Sequence, residues 1–380
     1  MKNKIHYIGA YKDGTGWGKA AQNYILALDS AGVDVVPSAI KTILMDRHVD
    51  IPQRILELEK GDERDCNICI QHILPGMMVY NSAYEKNIGI FMCESSHFKN
   101  TDWARYMNCM DEIWICNKGM IKACKESGVT VPLKVIPLCF DISQYSSRYE
   151  KLNMPNCVNE TFKFYTICET RERKNLRALL TAFHLEFGIE ERVSLIIKSM
   201  APLKEAKESF EILGKICDNV KKSIKLYPSL DKYHREVIMP EWLSDYDILR
   251  LHKTCDCFIL PSYGEAWGIP TFEAMAMGNV AIATNEGGPA DFIRDYENGL
   301  LISWFDVPAH TNPDEPMLRD LWVGNENWKM VSIDELRKRM RDVFENKELR
   351  KEIGKNGIDN AYNYSYQVVG NIMKTILEEE

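Results

Sequence analysis

The chain has 380 residues, a formal net charge of -8 and 45% hydrophobic residues. This length exceeds one ordinary core and predicts two domains of about 150 to 200 residues each. The acidic balance argues against nucleic acid as the main partner, and no run approaches the ~18 to 20 apolar residues of a membrane span. We therefore expect a cytoplasmic protein with at most peripheral membrane contact.

Strand-like and helix-like segments alternate through the first part of the chain. The strand candidates are KIHYIGAY, VDVVPSAI, CNICIQHI, KNIGIFMCE, DEIWICN and LKVIPLCF, and the helix candidates are GKAAQNYILALDSAG and KGMIKACKESGV. This order predicts a parallel sheet flanked by helices. The polar segment from Asp141 to Thr161 has no strong period and predicts the domain boundary.

A glycine-containing loop, YKDGTGWGKAA, follows the first strand. It nearly matches a P-loop, but Asp13 stands at the first glycine position and Ala20 follows Lys19, so ATP hydrolysis is disfavoured. Its glycines also lack the GxGxxG spacing of a dinucleotide site. Two interpretations stay open: a flexible loop around Gly16 that closes on a phosphate or sugar, or a tight turn into a helix.

Three side chains of the first part are candidates for contact with substrate. Glu94 directly follows an apolar strand, and a carboxylate at that end of a parallel strand faces the ligand cleft. His72 and His97 are acceptor-side candidates, although a lone histidine is more often a hydrogen-bonded structural residue. The sequence does not decide between these interpretations.

The cysteines indicate packing rather than metal binding. Cys66 and Cys69 form a lone CxxC whose spacing in a strand points the two thiols to opposite faces. No second CxxC and no His-x-x-x-His accompanies it, so we predict no metal site. A reducing compartment is the simpler inference for a chain with twelve cysteines placed largely in apolar runs.

A second alternating series begins after the boundary and predicts a second doubly wound domain. Its strand candidates are FKFYTICE, VSLIIKSM, CDCFILPS, NVAIATNE and GLLISW. Two such domains would face each other across a cleft, with ligands at the carboxyl ends of the strands. Residues 306–327 are expected to be irregular, and helices are predicted over Ile333 to Glu345, Lys347 to Tyr362 and the C-terminal segment.

A basic turn follows the first strand of this second series. It holds Arg171, Arg173 and Lys174, which could simply be an exposed charged turn paired with Glu169 and Glu172. Its position at the carboxyl end of a strand favours binding instead. Fixed cations stabilise the negative charge that builds on a diphosphate leaving group.

The segment YGEAWGIPTFEAMAMG carries Glu265 and Glu273, eight positions apart. Gly268 and Pro270 interrupt any continuous helix, so we predict a helix that begins near Pro270 or Thr271. Glu265 then lies in a tight loop and Glu273 in the first helical turn.

The start of this helix predicts a nucleotide-sugar site. The unpaired amides of a helix N-terminus bind anions. The carboxylates of Glu265 and Glu273 would repel an anion bound there unless they point instead to hydroxyl groups of the same ligand. A nucleotide sugar has phosphates at its centre and hydroxyls at both ends, and therefore meets both demands.

These motifs together resemble glycosyltransferase family 4 (group 1). The segments EAWGIPTFEAMAMG, the Gly287-Gly288 pair, ENGLLI, the RKN turn, and DEIWICN through SGV to VIPLCFD match that group in order and spacing. The resemblance implies the GT-B fold, with two Rossmann-like doubly wound domains facing across a cleft. We expect them at residues 1–155 and 156–362, followed by a helix at 363–380 that crosses back to the first domain.

The resemblance also implies a role for each matching residue. Glu273 would hold the ribose hydroxyls and Glu265 the donor sugar, with Lys174 and an arginine on the diphosphate. Family members retain anomeric configuration and generally need no metal, and the nucleotide sugar is a substrate, so no cofactor is expected. The catalytic candidates are Glu265, Lys174 and Glu94. The donor-binding candidates are Gly16, Arg171, Arg173, Lys174, Glu265, Gly268, Ile269, Pro270 and Glu273.

One departure concerns the basic turn. Cys168 and Glu169 stand where many relatives have Gly-Arg, so Arg171 or Arg173 would supply the missing charge. The leading hypothesis is a retaining, metal-independent transferase that uses a UDP- or GDP-sugar and a glycan, lipid-linked or other hydroxyl acceptor. The alternative is a non-catalytic nucleotide- or sugar-binding protein on the same fold.

Overall fold

The structure consists of two compact units, each built around its own parallel sheet. A computed structural model describes residues 3–40, 49–154, 157, 160–310 and 321–379. The first unit comprises residues 1–142, 309–326 and 362–380, and the second comprises 143–308 and 327–361. The prediction of two doubly wound α/β domains is confirmed.

The first sheet has six parallel strands. They are β1 (Lys4–Gly9), β2 (Asp34–Ala39), β3 (Ile68–His72), β4 (Lys86–Phe91), β5 (Glu112–Ile115) and β6 (Leu133–Val135). Their order across the sheet is β2-β1-β3-β4-β5-β6. The central strands are short apolar runs because helices cover a parallel sheet on both faces.

The second sheet also has six parallel strands. They are β7 (Phe162–Glu169), β8 (Val193–Met200), β9 (Val237–Met239), β10 (Cys257–Leu260), β11 (Val280–Thr284) and β12 (Leu300–Ile302). Their order is β12-β11-β10-β7-β8-β9. β10 and β7 are therefore neighbours at the centre, and the loops that follow them emerge side by side.

The α-helices alternate with these strands along the chain. They are α1 (Gly16–Ser30), α2 (Gln53–Leu58), α3 (Trp103–Met107), α4 (Gly119–Glu126), α5 (Ile142–Tyr145), α6 (Leu176–Glu186), α7 (Ala206–Ile224), α8 (Asp245–Thr254), α9 (Ile269–Ala276), α10 (Gly287–Phe292), α11 (Ile333–Glu345), α12 (Lys347–Ala361) and α13 (Tyr366–Glu378). Within the described residues, no helix combines the length and apolar character needed to cross a membrane.

The final helix packs in the first unit although most of the second unit precedes it in sequence. α13 lies against α1, where a Cβ added at Gly370 would overlap the carbonyl oxygen of Ala27. The Tyr366 hydroxyl donates to Asn23 Oδ1 at 2.7 Å, and Asn3 Nδ2 donates to the carbonyl of Leu377 at 2.7 Å. The close approach of the two backbones therefore depends on a glycine.

Two expectations from the sequence are wrong in detail. Residues 306–327 are not irregular throughout, since β13 (Trp304–His310) and β14 (Val323–Val331) pair as a two-stranded sheet, while residues 311–320 lie outside the described residues. Pro308 favoured the irregular interpretation, but proline is tolerated on an edge strand. Glu273 lies in the second turn of α9 rather than the first, because the helix already begins at Ile269.

Candidate active site

The loop between β10 and α9 brings Glu265 to the carboxyl end of the second sheet. Gly268 has a φ of 83°, a left-handed conformation that glycine adopts without strain, and the helix starts at the next residue. Pro270 has no N–H, so the amides of Ile269 and Thr271 are the donors that the first turn directs outward. Such a helix start suits an anionic group.

Glu265 is a buried carboxylate held by two cations. Lys174 Nζ lies 2.6 Å from Glu265 Oε1, and Arg173 Nη1 lies 3.4 Å from the same oxygen. Burial alone would raise the pKa of Glu265, but the charges of Lys174 and Arg173 outweigh it, and hydrogen bonds from Lys174 and Ser262 add to their effect. The net result is a pKa below the usual range and an ionised carboxylate at neutral pH.

Backbone and side-chain hydrogen bonds connect the basic turn, which holds Arg171, Arg173 and Lys174, to the loop that carries Glu265. Asn175 has a φ of 51°, caps α6 through its side chain, and donates from Nδ2 to the carbonyl of Pro261 at 3.1 Å. The amide of Tyr263 donates to the carbonyl of Arg173 at 2.8 Å. The two loops therefore form one structural piece, which explains why Lys174 and Glu265 meet although 91 positions separate them.

The Gly287-Gly288 pair at the start of α10 packs against the loop that carries Glu265. A Cβ at Gly287 would overlap the carbonyl oxygen of Glu265, and one at Gly288 would overlap the backbone of Trp267. The amide of Gly288 donates to that carbonyl of Glu265 at 3.2 Å. Both glycines are thus required for the backbone of Glu265 to be enclosed.

Glu273 lies at the edge of the same region and is partly exposed. Its carboxylate oxygen Oε2 is 3.7 Å from Nε2 of His252, which is fully buried. Sequence reasoning missed His252, because a single histidine in the amphipathic helix α8 carries no motif. The order of β7, β10 and β11 in the sheet places α8 and α9 where this contact can form.

The two arginine candidates have different surroundings. Arg173 contacts Glu265 and also donates to the carbonyl of Gly264 at 2.5 Å. Arg171 Nε instead lies 2.7 Å from Glu169 Oε2. Burial raises the pKa of Cys168 to about 11, so its thiol is neutral at pH 7. Of the two arginines, Arg173 is therefore the one in contact with Glu265, and its role as the substitute for the family arginine stays a prediction.

The remaining candidates belong to the first unit. Gly16 is the first residue of α1, directly after the N-cap Thr15, so the glycine loop includes a tight turn into a helix. Glu94 is half-buried just beyond β4, and His97 Nε2 is 3.1 Å from the carbonyl oxygen of Asn325. His72 is fully buried, with Nδ1 2.7 Å from the Tyr7 hydroxyl, and burial lowers its pKa to about 3. Their roles toward substrate stay predictions.

The positive charges in contact with Glu265 belong to Lys174 and Arg173. Among the residues that the structure describes, no group of three or more His, Cys, Asp or Glu side chains is arranged to hold a metal ion. The expectation of a metal-independent reaction stays a prediction.

Comparisons with known proteins match mainly the part of the chain that carries these loops. Residues 164–309 match the model of the family "Glycosyl transferases group 1". Sucrose-phosphate synthase 4 of Arabidopsis thaliana is 28% identical over 202 residues, which are 51% of this chain but only 16% of that protein. Sucrose synthase of Solanum tuberosum is 26% identical over 180 residues, 44% of this chain and 21% of that protein.

Solved structures show the same overall fold. The Anabaena protein HepE in complex with UDP and glucose has a TM-score of 0.65 at 12% identity, with both chains covered completely. A sucrose-phosphate synthase from Thermosynechococcus elongatus has a TM-score of 0.66 at 14% identity, covering 99% of this chain and 98% of its own. The resemblance to group 1 glycosyltransferases is thereby confirmed, and the matched residues 164–309 include Lys174, Glu265 and Glu273.

Proposed function

We propose that the protein is a retaining glycosyltransferase of family 4 that moves a sugar from a UDP- or GDP-sugar to a hydroxyl acceptor without a metal ion. The observation that carries this proposal is the ion pair between Lys174 and the buried Glu265 beside the start of α9, with Glu273 one helical turn further on. The family match of residues 164–309 supports sugar transfer as the reaction.

The proposed roles follow from the charges at the site. Lys174 and Arg173 would stabilise the negative charge that develops on the diphosphate as the bond to the sugar breaks. Glu265 would accept hydrogen bonds from the donor sugar, and Glu273 from the ribose hydroxyls. The amides at Ile269 and Thr271 would donate to a phosphate or to the sugar, as helix starts do.

The proton of the acceptor hydroxyl needs a base in this scheme. In retaining enzymes of the family that this chain resembles, the leaving phosphate takes that proton, and Lys174 would hold the phosphate in place for it. Glu94 of the first unit would hold hydroxyl groups of the acceptor or the donor. We also propose a reducing, cytoplasmic setting, which is supported by twelve cysteines that form no disulfide bond within the described residues.

Calorimetric titration with UDP and then GDP, without added metal, tests the donor class. The likeness to the Anabaena protein bound to UDP and glucose makes UDP the first nucleotide to try. We expect one nucleotide to bind, and Glu273→Ala to weaken it about tenfold to a hundredfold, as expected for lost charge-assisted hydrogen bonds. Binding of neither nucleotide would contradict the proposal.

Turnover separates an enzyme from a binding protein on the same fold. Once titration has identified the nucleotide, the corresponding UDP- or GDP-glucose is offered as donor. Release of UDP or GDP from it is then measured for the wild type and for Glu265→Gln. We expect the variant to keep nucleotide affinity and lose at least a hundredfold in turnover. A wild type that binds but never releases sugar would favour the non-catalytic alternative, and NMR of the product gives the anomeric configuration.

A further inference from the structure

A buried chain of hydrogen bonds in the second unit ends at Glu273. Asn279 Nδ2 donates to the Tyr165 hydroxyl oxygen at 2.8 Å, and that hydroxyl lies 2.6 Å from Nδ1 of His252. On the other side of the imidazole ring, Nε2 lies 3.7 Å from Glu273 Oε2. Asn279, Tyr165 and His252 belong to no common sequence motif. Together they connect the core to Glu273, the residue predicted to bind the nucleotide.

The side-chain amide of Asn279 determines which atom donates and which accepts in each of these hydrogen bonds. Asn279 Nδ2 also donates to the backbone carbonyl of His252 at 2.7 Å, and because a carbonyl only accepts, the amide orientation is determined. The Tyr165 oxygen accepts from that amide, which leaves its own proton for His252 Nδ1. Burial, the largest cause, raises the pKa of Tyr165 well above its ordinary value, so the hydroxyl keeps its proton.

The imidazole of His252 is therefore held as one tautomer. Nδ1 accepts from Tyr165, so the ring proton of the neutral imidazole resides on Nε2. In the described part of the chain, Nε2 has no hydrogen-bond partner, and it is directed at Glu273. A separation of 3.7 Å is too long for a hydrogen bond but short enough for attraction between an N–H dipole and a carboxylate in a poorly solvated region.

We propose that His252 is a positioning residue that orients the Glu273 carboxylate for the ribose hydroxyls of the donor nucleotide. This inference rests on the proposed function, in which Glu273 binds the ribose. His252 is fully buried whereas the side chain of Glu273 is 14% exposed, so the histidine acts on the carboxylate from the core and leaves its other face for ligand.

The advantage of this arrangement is preorganisation. A glutamate side chain has three rotatable bonds and loses freedom when a ligand fixes it. Ordering it beforehand removes that cost from binding. We therefore expect loss of the His252 N–H to weaken UDP binding about threefold to tenfold, and only for ligands that use Glu273.

The test compares UDP with 2′,3′-dideoxy-UDP, which lacks the hydroxyls that Glu273 would bind. Both affinities are measured by calorimetry for the wild type, His252→Phe, His252→Gln and the control His184→Phe. His184 is another fully buried histidine of the second unit, and its Nε2 lies 2.6 Å from Glu236 rather than near the site. The ratio of the two affinities is the readout, since a general loss of stability changes both ligands alike.

We expect the wild type and His184→Phe to prefer UDP strongly over the dideoxy compound. His252→Phe should lose threefold to tenfold of that preference, and His252→Gln, whose amide can present an N–H near the position of Nε2, should recover part of it. Nitrogen NMR of the wild-type ring should show Nε2 protonated and Nδ1 unprotonated, and a protonated Nδ1 would overturn the proposed proton arrangement.

Two other outcomes have distinct meanings. If the wild type binds both nucleotides equally, the ribose role of Glu273 fails, and the inference fails with it. If the wild type discriminates and His252→Phe discriminates just as well, the positioning role is overturned while the proposed function stands. Should His252→Phe not fold, Tyr165→Phe removes the donor to Nδ1 instead, and an unchanged preference in that variant overturns the inference equally.

Discussion

Glu265 carries its charge in a buried loop because two cations reach one of its oxygens. Lys174 Nζ at 2.6 Å provides the shorter contact and Arg173 Nη1 at 3.4 Å the longer one. A buried carboxylate that loses its closest cation keeps its desolvation penalty and loses most of the compensating attraction. The pair therefore affects stability as well as chemistry.

Replacing Lys174 by Met should destabilise the second unit by roughly 3 kcal/mol at pH 7, because it strands the Glu265 charge. Calorimetry should show its transition about 6 to 12 °C lower. The lowered pKa of Glu265 means that its stabilising effect is present above the ordinary glutamate value and is lost as pH falls through the folded value. The gap between wild type and variant should accordingly shrink below about pH 4.

The double variant Lys174→Met with Glu265→Gln is the matched control for this prediction. It removes both charges and leaves two neutral groups, so we expect it to recover a large part of the lost stability. Additive losses in the two single variants would show that the two side chains do not interact in solution.

Residue-level features were predictable from sequence where a motif or a charge pattern marks them. Glu265, Lys174 and the glycine pair carry such marks, and the structure brings them together. His252 does not, because it lies 21 positions from Glu273 in sequence and reaches it only through the packing of α8 against α9. That Arg173 rather than Arg171 contacts Glu265 was equally hidden, since it depends on which way a single 3₁₀ turn faces.

At the scale of elements, largely apolar runs predicted β7 and β8 with their bounds, because strands buried on both faces consist mostly of apolar residues. β9 has only three residues and was missed, as periodicity needs a longer window. The two-stranded sheet of β13 and β14 was missed because Pro308 interrupts the pattern of β13 and several polar residues interrupt that of β14. Local composition therefore predicts core elements better than edge elements.

The start of α10 packs tightly against the loop between β10 and α9 that carries Glu265, and this contact can be tested by mutation. Gly287 has a φ of 60°, and any Cβ there would overlap the carbonyl oxygen of Glu265. Gly287→Ala should cost about 2 to 5 kcal/mol through left-handed strain and overpacking. It should also weaken nucleotide binding, because a shift of the Glu265 backbone also shifts the start of α9 at Ile269, whose amides would bind a phosphate. Thermal unfolding and calorimetric titration measure the two effects.

Gly188→Ala is the control for that variant. It makes the same chemical change in the same unit, but no atom lies within 4 Å of the added Cβ. We expect unfolding and nucleotide affinity close to those of the wild type. Wild-type affinity in Gly287→Ala would show that the loop tolerates displacement and that its enclosure does not govern the site.

At the scale of the whole molecule, each unit is assembled from separate stretches of chain. α13 completes the first unit, with Gly370 against Ala27 and Lys374 Nζ 3.3 Å from the carbonyl of Ala31. α11 and α12 return to the second unit, where a Cβ at Gly354 would overlap the carbonyl of Gly278. Sequence periodicity predicted these helices but carried no information about which sheet each one covers.

Gly370→Val should therefore destabilise the first unit alone. The added side chain separates α13 from α1 at an expected cost of about 1 to 3 kcal/mol. UDP should raise the melting transition of the second unit in both proteins, while Gly370→Val lowers the other transition. Gly76→Ala, whose Cβ meets no atom within 4 Å, is the control within the first unit. A single transition that responds to both changes would show that the two units unfold together.

The place of α13 in the chain also has a consequence for biosynthesis. A ribosome that has finished residue 142 must still make more than two hundred residues before the partner of α1 emerges, which takes roughly 10 to 45 s at ordinary rates. Until then the apolar face of α1 that α13 will cover stays open to chaperones. Residues 143–361 contain the whole second unit, so that unit can fold on the nascent chain while the first unit still waits for its last helix.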